Sequence, residues 1–310
     1  MKKLIATLAT LMLALGAAFA QDLAAVTELY NSGAEAVAAG NKADALNAFV
    51  NALQQAEALG DEGQEVVTNC KNIIPNLKMS LAKDLIKETK FDEAVAALRD
   101  VEKVAEEYEA LDVLDEAKTL IPQVKMSKAG TLLNAKDYAA AAAAYQDILS
   151  ENPNDGTAAL RLGVALNGAG DVEKAKAAFE QAAANGQAAT ANKQLGNIYL
   201  KEAAAALKAK KYADAVTAAV KVNDFTENAQ AWQIAGQASQ LGGKNNDAIK
   251  YFEKYLEASP DASNAGAIAY TVGALYQGAK NNAKAKEFYT KALNDPKYGA
   301  EAKKMLDALK

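Results

Sequence analysis

The sequence predicts an all-helical chain assembled from repeated helix pairs, and three observations carry that expectation. Alanine is abundant while proline is sparse, 5 in 310 residues. Nearly every stretch between turn signals repeats its apolar residues at the 3.6-residue period of a helix. One pattern of small and aromatic residues recurs along the chain at intervals of a few tens of residues, the mark of a repeat architecture.

The first element is a leader. Lys2 and Lys3 precede an apolar run from Leu4 to Ala17, and Ala18-Phe19-Ala20 stands before Gln21-Asp22. A basic start, a short apolar stretch and small residues at its end predict a secretory signal peptide over 1–20, cut after Ala20. The apolar run of 14 residues is shorter than the roughly 20 that a membrane-crossing helix needs. The mature chain is therefore expected to be exported, to the periplasm of a Gram-negative bacterium or otherwise secreted, with no membrane span.

Of the 34 basic side chains, Lys2 and Lys3 fall in the leader, leaving 32 against 39 acidic ones and a formal charge of −7. Such a surface repels nucleic acid, which is bound through clustered Lys and Arg. The lone cysteine, Cys70 in VVTNCKNII, has no partner for an intramolecular disulfide. It reads as a small buried residue on a helix.

The repeat frame is clearest at Trp232, Gly236, Ala248, Phe252 and Pro260, spaced 4, 12, 4 and 8 residues apart. It recurs at Gly33, Ala45 and Phe49, at Ala82, Ala94 and Leu98, and at Tyr138, Ala141 and Tyr145. Further on come Gly163, Ala175 and Phe179, then Tyr212 and Ala215, then Gly273, Ala285 and Tyr289. Small residues belong where two helices of a pair cross closely, and an aromatic fills the space beside them. Gly40-Asn41, Gly168-Ala169-Gly170-Asp171, Gly242-Gly243 and Gly278-Ala279-Lys280-Asn281 mark turns between the first helix of a pair, helix A, and the second, helix B.

These residues occupy the positions W-x2-L-G-x2-Y, A-x3-F and P, so the sequence resembles the tetratricopeptide repeat family. The resemblance covers almost the whole mature chain. It implies an all-α, helical-pair solenoid coiled as a right-handed superhelix, with about seven repeats and a C-terminal capping helix. The cap is expected over 298–310, with Ala300, Met305, Leu306 and Leu309 facing inward.

The first alanine of helix B falls at 45, 94, 141, 175, 215, 248 and 285, so the first two intervals are long. The motifs IIPNLKMS (73–80) and LIPQVKMS (120–127) share these long stretches. Their prolines, Pro75 and Pro122, are expected at the first position of helix A, where a missing N–H is harmless. Residues 61–74 and 108–121 then read as lengthened B helices or a short additional helix, with a prolonged, kinked A helix as the alternative. The spacing shortens near Asn152-Pro153-Asn154-Asp155-Gly156. Residues 21–151, with lengthened helices, and 152–310, with repeats and cap, are read as separate parts.

Catalytic chemistry finds little support. The chain has no histidine, which excludes Ser-His-Asp and Cys-His arrangements and the usual zinc sites. The glycines at 168–170 and 242–243 sit at helix turns and make no phosphate loop. The Glu106-Glu107-Glu109 group and the pair Asp112 and Asp115 lie on polar helix faces, and NPNDG at 152–156 lacks the remainder of a calcium loop. No cofactor and no metal are expected.

Helix A lines the concave groove in the resembled family, where peptides or partner helices bind. By frame, the groove of the sixth repeat carries Gln230, Gln233, Gln237 and Gln240, which fall within a sector of about 80° at 100° per residue, opposite Trp232, Ala235 and Ser239. Primary amides both donate and accept, so the row suits peptide backbone or sugar hydroxyls. Tyr30 and Asn31, Asn197 and Lys201, and Tyr270 and Gln277 are further groove positions, the last pair adjoining the glutamine row if repeats six and seven stack. Asn76, Met79 and Lys83, then Gln123, Met126 and Gly130, then Thr157, Leu160 and Val164 give a stretch too apolar and cation-poor for clamping a C-terminal carboxylate. Met79, Met126 and Leu160 instead suggest an apolar lane for an amphipathic helix.

The expected function is that of a non-catalytic periplasmic scaffold or adaptor holding a protein or peptide partner. Recognition of an envelope glycan or peptidoglycan is the second reading, and a carboxylate-based hydrolase ranks last.

Overall fold

The structure is a computed structural model that describes residues 20–309. The expected signal peptide therefore lies outside the described residues apart from Ala20. The described chain is helical throughout, and it divides into two compact units that meet between Glu151 and Asn152.

The first unit contains α1 (Ala20–Ala38), α2 (Lys42–Ala58), a 3-10 turn (Gly60–Gly63), α3 (Gln64–Lys87), α4 (Phe91–Glu107), α5 (Leu111–Asn134) and α6 (Tyr138–Glu151). The second contains α7 (Gly156–Ala169), α8 (Val172–Ala182), α9 (Ala188–Lys208), α10 (Tyr212–Val222), α11 (Ala229–Leu241), α12 (Asn245–Ala258), α13 (Ala265–Gly278), α14 (Asn282–Lys291) and α15 (Gly299–Ala308). Within each unit consecutive helices pack on one another, and A helices also touch A helices: α1 on α3, α3 on α5, and α9 on α11.

Odd-numbered helices from α1 to α13 are the A helices and even-numbered ones the B helices. Ala45, Ala94, Ala141, Ala175, Ala215, Ala248 and Ala285 each stand at the fourth residue of a B helix, and each is fully buried. A larger side chain at these points would hold the two helices of the pair apart. Four glycines of A helices abut the aromatic residue of their own B helix: Gly33 on Phe49, Gly163 on Phe179, Gly236 on Phe252 and Gly273 on Tyr289. Backbone and ring are in contact there, which leaves no room for a Cβ.

Every A helix ends on the same hydrogen-bonded turn. The residue two before each B helix has positive φ, between 59° and 87°: Gly40, Thr89, Lys136, Gly170, Lys210, Gly243 and Lys280. Its N–H donates to the carbonyl three residues back, and the next N–H donates five back; in the α9–α10 turn these are Lys210 to Leu207 at 3.0 Å and Lys211 to Ala206 at 2.9 Å. This is the Schellman closure, which satisfies carbonyls that the helix end would leave bare.

Pro75 and Pro122 depart from expectation. Each lies inside a continuous 24-residue A helix, α3 or α5, eleven residues after its start. The long repeats thus come from prolonged A helices, the alternative reading, and not from lengthened B helices. An interior proline costs a helix about 3 kcal/mol; here Ile73, Ile74 and Leu77 around Pro75, and Ile121 and Val124 around Pro122, are buried and hold both halves on the core. α9, with 21 residues against 14 in α7, lengthens the fifth repeat in the same way.

Cys70 is fully buried, and burial pushes its thiol up to about 12. In α15, Met305, Leu306 and Leu309 pack on the core of the second unit, but Ala300 is exposed and Ala302 is the buried alanine. A helix's inward face is set by where its neighbour lies, and α14 meets α15 on the side of Ala302.

Candidate partner-binding surface

In α11, Ala231, Ile234, Ala235, Ala238 and Ser239 are buried, and this side anchors the helix. Asn228 caps its start, accepting from the Ala231 N–H at 3.1 Å. Trp232 is half-buried, stacked on Tyr251 of α12 with ring centroids 5.9 Å apart and planes 10° from parallel. Lys254 Nζ stands 4.2 Å from its centroid. Partners thus occupy the tryptophan ring, and it packs α11 onto α12.

The opposite sector carries the glutamines. Gln230 and Gln240 are exposed, Gln233 and Gln237 half-exposed. Among the described residues none of the four side-chain amides makes a hydrogen bond, while other glutamines do: Gln181 donates to the Pro153 carbonyl at 2.9 Å, and Gln277 accepts from Tyr289 Oη at 2.7 Å. Ten residues at about 1.5 Å each set the row's length near 15 Å. α9 packs beside α11, and its Asn197 and Lys201 are exposed, without a hydrogen bond or ion pair among the described residues.

Tyr270 and Gln277 are engaged elsewhere. The half-buried Tyr270 ring stacks on Tyr298 at 5.0 Å and tilts against Tyr289 at 5.5 Å, so it ties α13 to α14 and the C-terminal segment. Gln277 is held by Tyr289. Tyr270, three residues before Gly273, thus meets Tyr289 of its own B helix instead of open groove. Tyr30 shows the same placement: it is 5% exposed and edge-on to Phe49 at 5.3 Å, a core residue and not a groove residue. Asn31 beside it is exposed.

Met79 is also core, at 3% exposure, so it does not supply an apolar lane; Met126 and Leu160 are half-buried. The cleft bordering Met79, between α1, α3 and α5, is more charged than the frame implies. Lys42 and Lys87 reach its rim from the ends of their helices, beside Lys83. All three are ion-paired, Lys42 and Lys87 sharing Asp84 and Lys83 on Glu116 at 2.6 Å. Hydrogen bonds from Lys42 and Lys87 hold the Asp84 carboxyl below its ordinary range. Sequence spacing missed the Lys42–Asp84 and Lys83–Glu116 pairs because their members come from different helices, whereas Lys87 and Asp84 stand three residues apart within α3.

The exposed acidic groups at 106–109 and at Asp112 and Asp115 face solvent, and no group of three metal-ligating side chains assembles among the described residues. No described helix is long and apolar enough to cross a membrane.

Comparison with the curated proteins returns no match. Among solved structures, a tetratricopeptide repeat protein from Parabacteroides merdae is 14% identical, with 92% of this chain and 98% of that one covered and a TM-score of 0.29. YrrB, described as a TPR protein with an unusual peptide-binding site, is 22% identical over 58% of this chain and 91% of its own, with a TM-score of 0.32. MamA is 19% identical over 56% and 96%, also at 0.32. Two family models, both described as tetratricopeptide repeat, match residues 132–195 and 200–263. Matched in these segments, and carrying the same alanine and turn at each helix pair from α1 to α14, the chain belongs to the tetratricopeptide repeat family.

Proposed function

We propose that this protein is a non-catalytic scaffold of the cell envelope, exported to the periplasm, that holds a protein or peptide partner against α9 and α11. One observation carries the proposal: four glutamine amides in a row on α11, without a hydrogen bond among the described residues and held on a rigid helix. A row about 15 Å long matches an extended peptide of four to five residues at about 3.3 Å each. Each amide offers a donor and an acceptor to peptide N–H and C=O groups. Asn197 and Lys201 add a polar border on the neighbouring A helix, and the packed array binds with little ordering of its own.

Neutral hydrogen bonds contribute about 0.5–1.5 kcal/mol each. Changing Gln233 and Gln237 together to Ala is therefore expected to weaken capture by about 1–3 kcal/mol, roughly five- to 150-fold. A photo-crosslinking residue at Gln237 should yield a discrete protein adduct in cells, and one at Asp247 on α12 should not. Equal adducts at both positions, or undiminished capture by the double variant, would rule out this face. A peptidoglycan fragment bound with the same glutamine dependence, and no protein adduct, would turn the assignment to glycan recognition. Fractionation tests the location, and retention in the cytoplasm refutes it.

A further inference from the structure

The two units carry opposite charge. Residues 21–151 hold 12 basic and 23 acidic side chains, and residues 152–310 hold 20 and 16. In each unit the excess is gathered at helix turns. In the second unit Lys208, Lys210 and Lys211 sit at the α9–α10 turn and Lys244 at the α11–α12 turn. A Cβ on Gly242 would lie 3.4 Å from Tyr212 Cβ, so these two turns are neighbours. Lys280 holds the corresponding position in the last repeat. All five are exposed, and among the described residues none is ion-paired, although the carboxylates Asp214 and Asp247 stand on the helices that follow.

In the first unit the excess lies at the opposite kind of turn, from helix B to helix A. Asp61, Glu62 and Glu65 surround the α2–α3 turn, and Glu106, Glu107 and Glu109 the α4–α5 turn. Tyr108 packs on the core beneath both turns, which brings them side by side. All six carboxylates are exposed and outside any ion pair of the described residues. The nearby cation, Lys71, is taken by Glu57 at 3.0 Å and by the Tyr108 ring.

We propose that the lysine edge of the second unit docks on the carboxylate edge of the first unit of another copy, so that the chain associates head to tail. The complementary surface is present on every molecule at the same concentration, and among the described residues neither edge is ion-paired within its own unit. Opposed potentials of this kind steer encounter and fix register. Because the two patches differ, the contact is heterologous and continues into rings or open chains.

Sedimentation velocity on the protein purified as the cell makes it tests the proposal. Association is expected at about 20 mM salt, where the Debye length is about 20 Å, and is lost near 0.5 M, where it is about 4 Å. K208E/K210E/K211E and E106K/E107K/E109K should each weaken association at least tenfold. Mixed together they should associate again, because the reversed edges complement each other, and that recovery also shows both variants folded. A chain that stays monomeric at low salt, or a mixture that does not recover, overturns the proposal. Binding of a monomeric protein to anionic vesicles through the same lysines overturns it too, assigning the edge to a membrane surface.

Discussion

Substituting Gly236 by Ala sets two effects against each other. Alanine is the better helix former by about 0.5–1 kcal/mol in a helix interior. The new Cβ would lie 2.4 Å from Phe252 Cδ1, 2.6 Å from Cε1 and 2.8 Å from Cγ, where carbon atoms at rest stand about 3.5–4.0 Å apart. Phe252 is 1% exposed and has nowhere to withdraw. Overpacking of this kind costs about 1–3 kcal/mol, and an overlap above 1 Å against a ring face falls in the upper part of that range. The steric effect wins, and Gly236→Ala is expected to destabilise by about 1–2 kcal/mol. Gly130→Ala is the control: its Cβ would meet only Tyr145 Oη, at 3.8 Å, so the propensity gain stands alone and stabilises by about 0.5–1 kcal/mol. The assay is urea unfolding followed by Trp232 fluorescence, which reports on the sixth repeat itself, and by far-UV circular dichroism, which also sees the third repeat where Gly130 lies. A local probe matters because a repeat array whose members touch only neighbours need not unfold in one step. Relieving the overlap with Phe252→Leu should recover part of the loss in the double variant. If Gly236→Ala proves as stable as the parent, the contact between glycine and ring does not set the spacing of the pair.

The A–B turns and the buried thiol give two further predictions. Lys136→Gly, Lys210→Gly and Lys280→Gly relieve positive φ at non-glycine residues and should each raise stability by about 0.5–1 kcal/mol, while Gly170→Ala should lower it by a similar amount; thermal melts that order these variants otherwise contradict the turn assignment. Burial raises Cys70 from 9 to about 12, so the folded state keeps its proton where the unfolded state releases it. Its contribution is whole below about pH 9 and is lost as pH rises towards 12, by about 1.4 kcal/mol for each unit passed. Urea midpoints at pH 8 and 10.5 should therefore differ less in Cys70→Ala than in the parent, and an equal difference would show that the thiol is not protected.

The sequence alone showed much of the fold, because the requirement it records is local. A helix crossing admits only a small residue, so Ala45 through Ala285 announce every B helix. The positions that escaped are those decided by a neighbour's distance and not by the residue's own helix. Tyr30 and Met79 lie on the groove side by angle, yet the adjacent helix comes close enough to bury both. Ala300 and Ala302 are alike in chemistry, and only the approach of α14 distinguishes them. Pro75 and Pro122 look like helix starts to a local rule, and core contacts on both sides carry the helix through. At the candidate site, the glutamine sector followed from angle alone. The engagement of Gln277 and Tyr270 by Tyr289 did not, since it depends on a ring reaching across from another helix.

The recurring A–B turn has a consequence beyond stability. Its closure is made by main-chain N–H and C=O groups alone, so it holds with glycine, threonine or lysine at the same place. Substitution at such a joint leaves the hydrogen-bond pattern intact, and the seven turns form a row of sites where a lineage can rewrite its surface while the scaffold beneath stays the same. Three of the seven already present a lysine there.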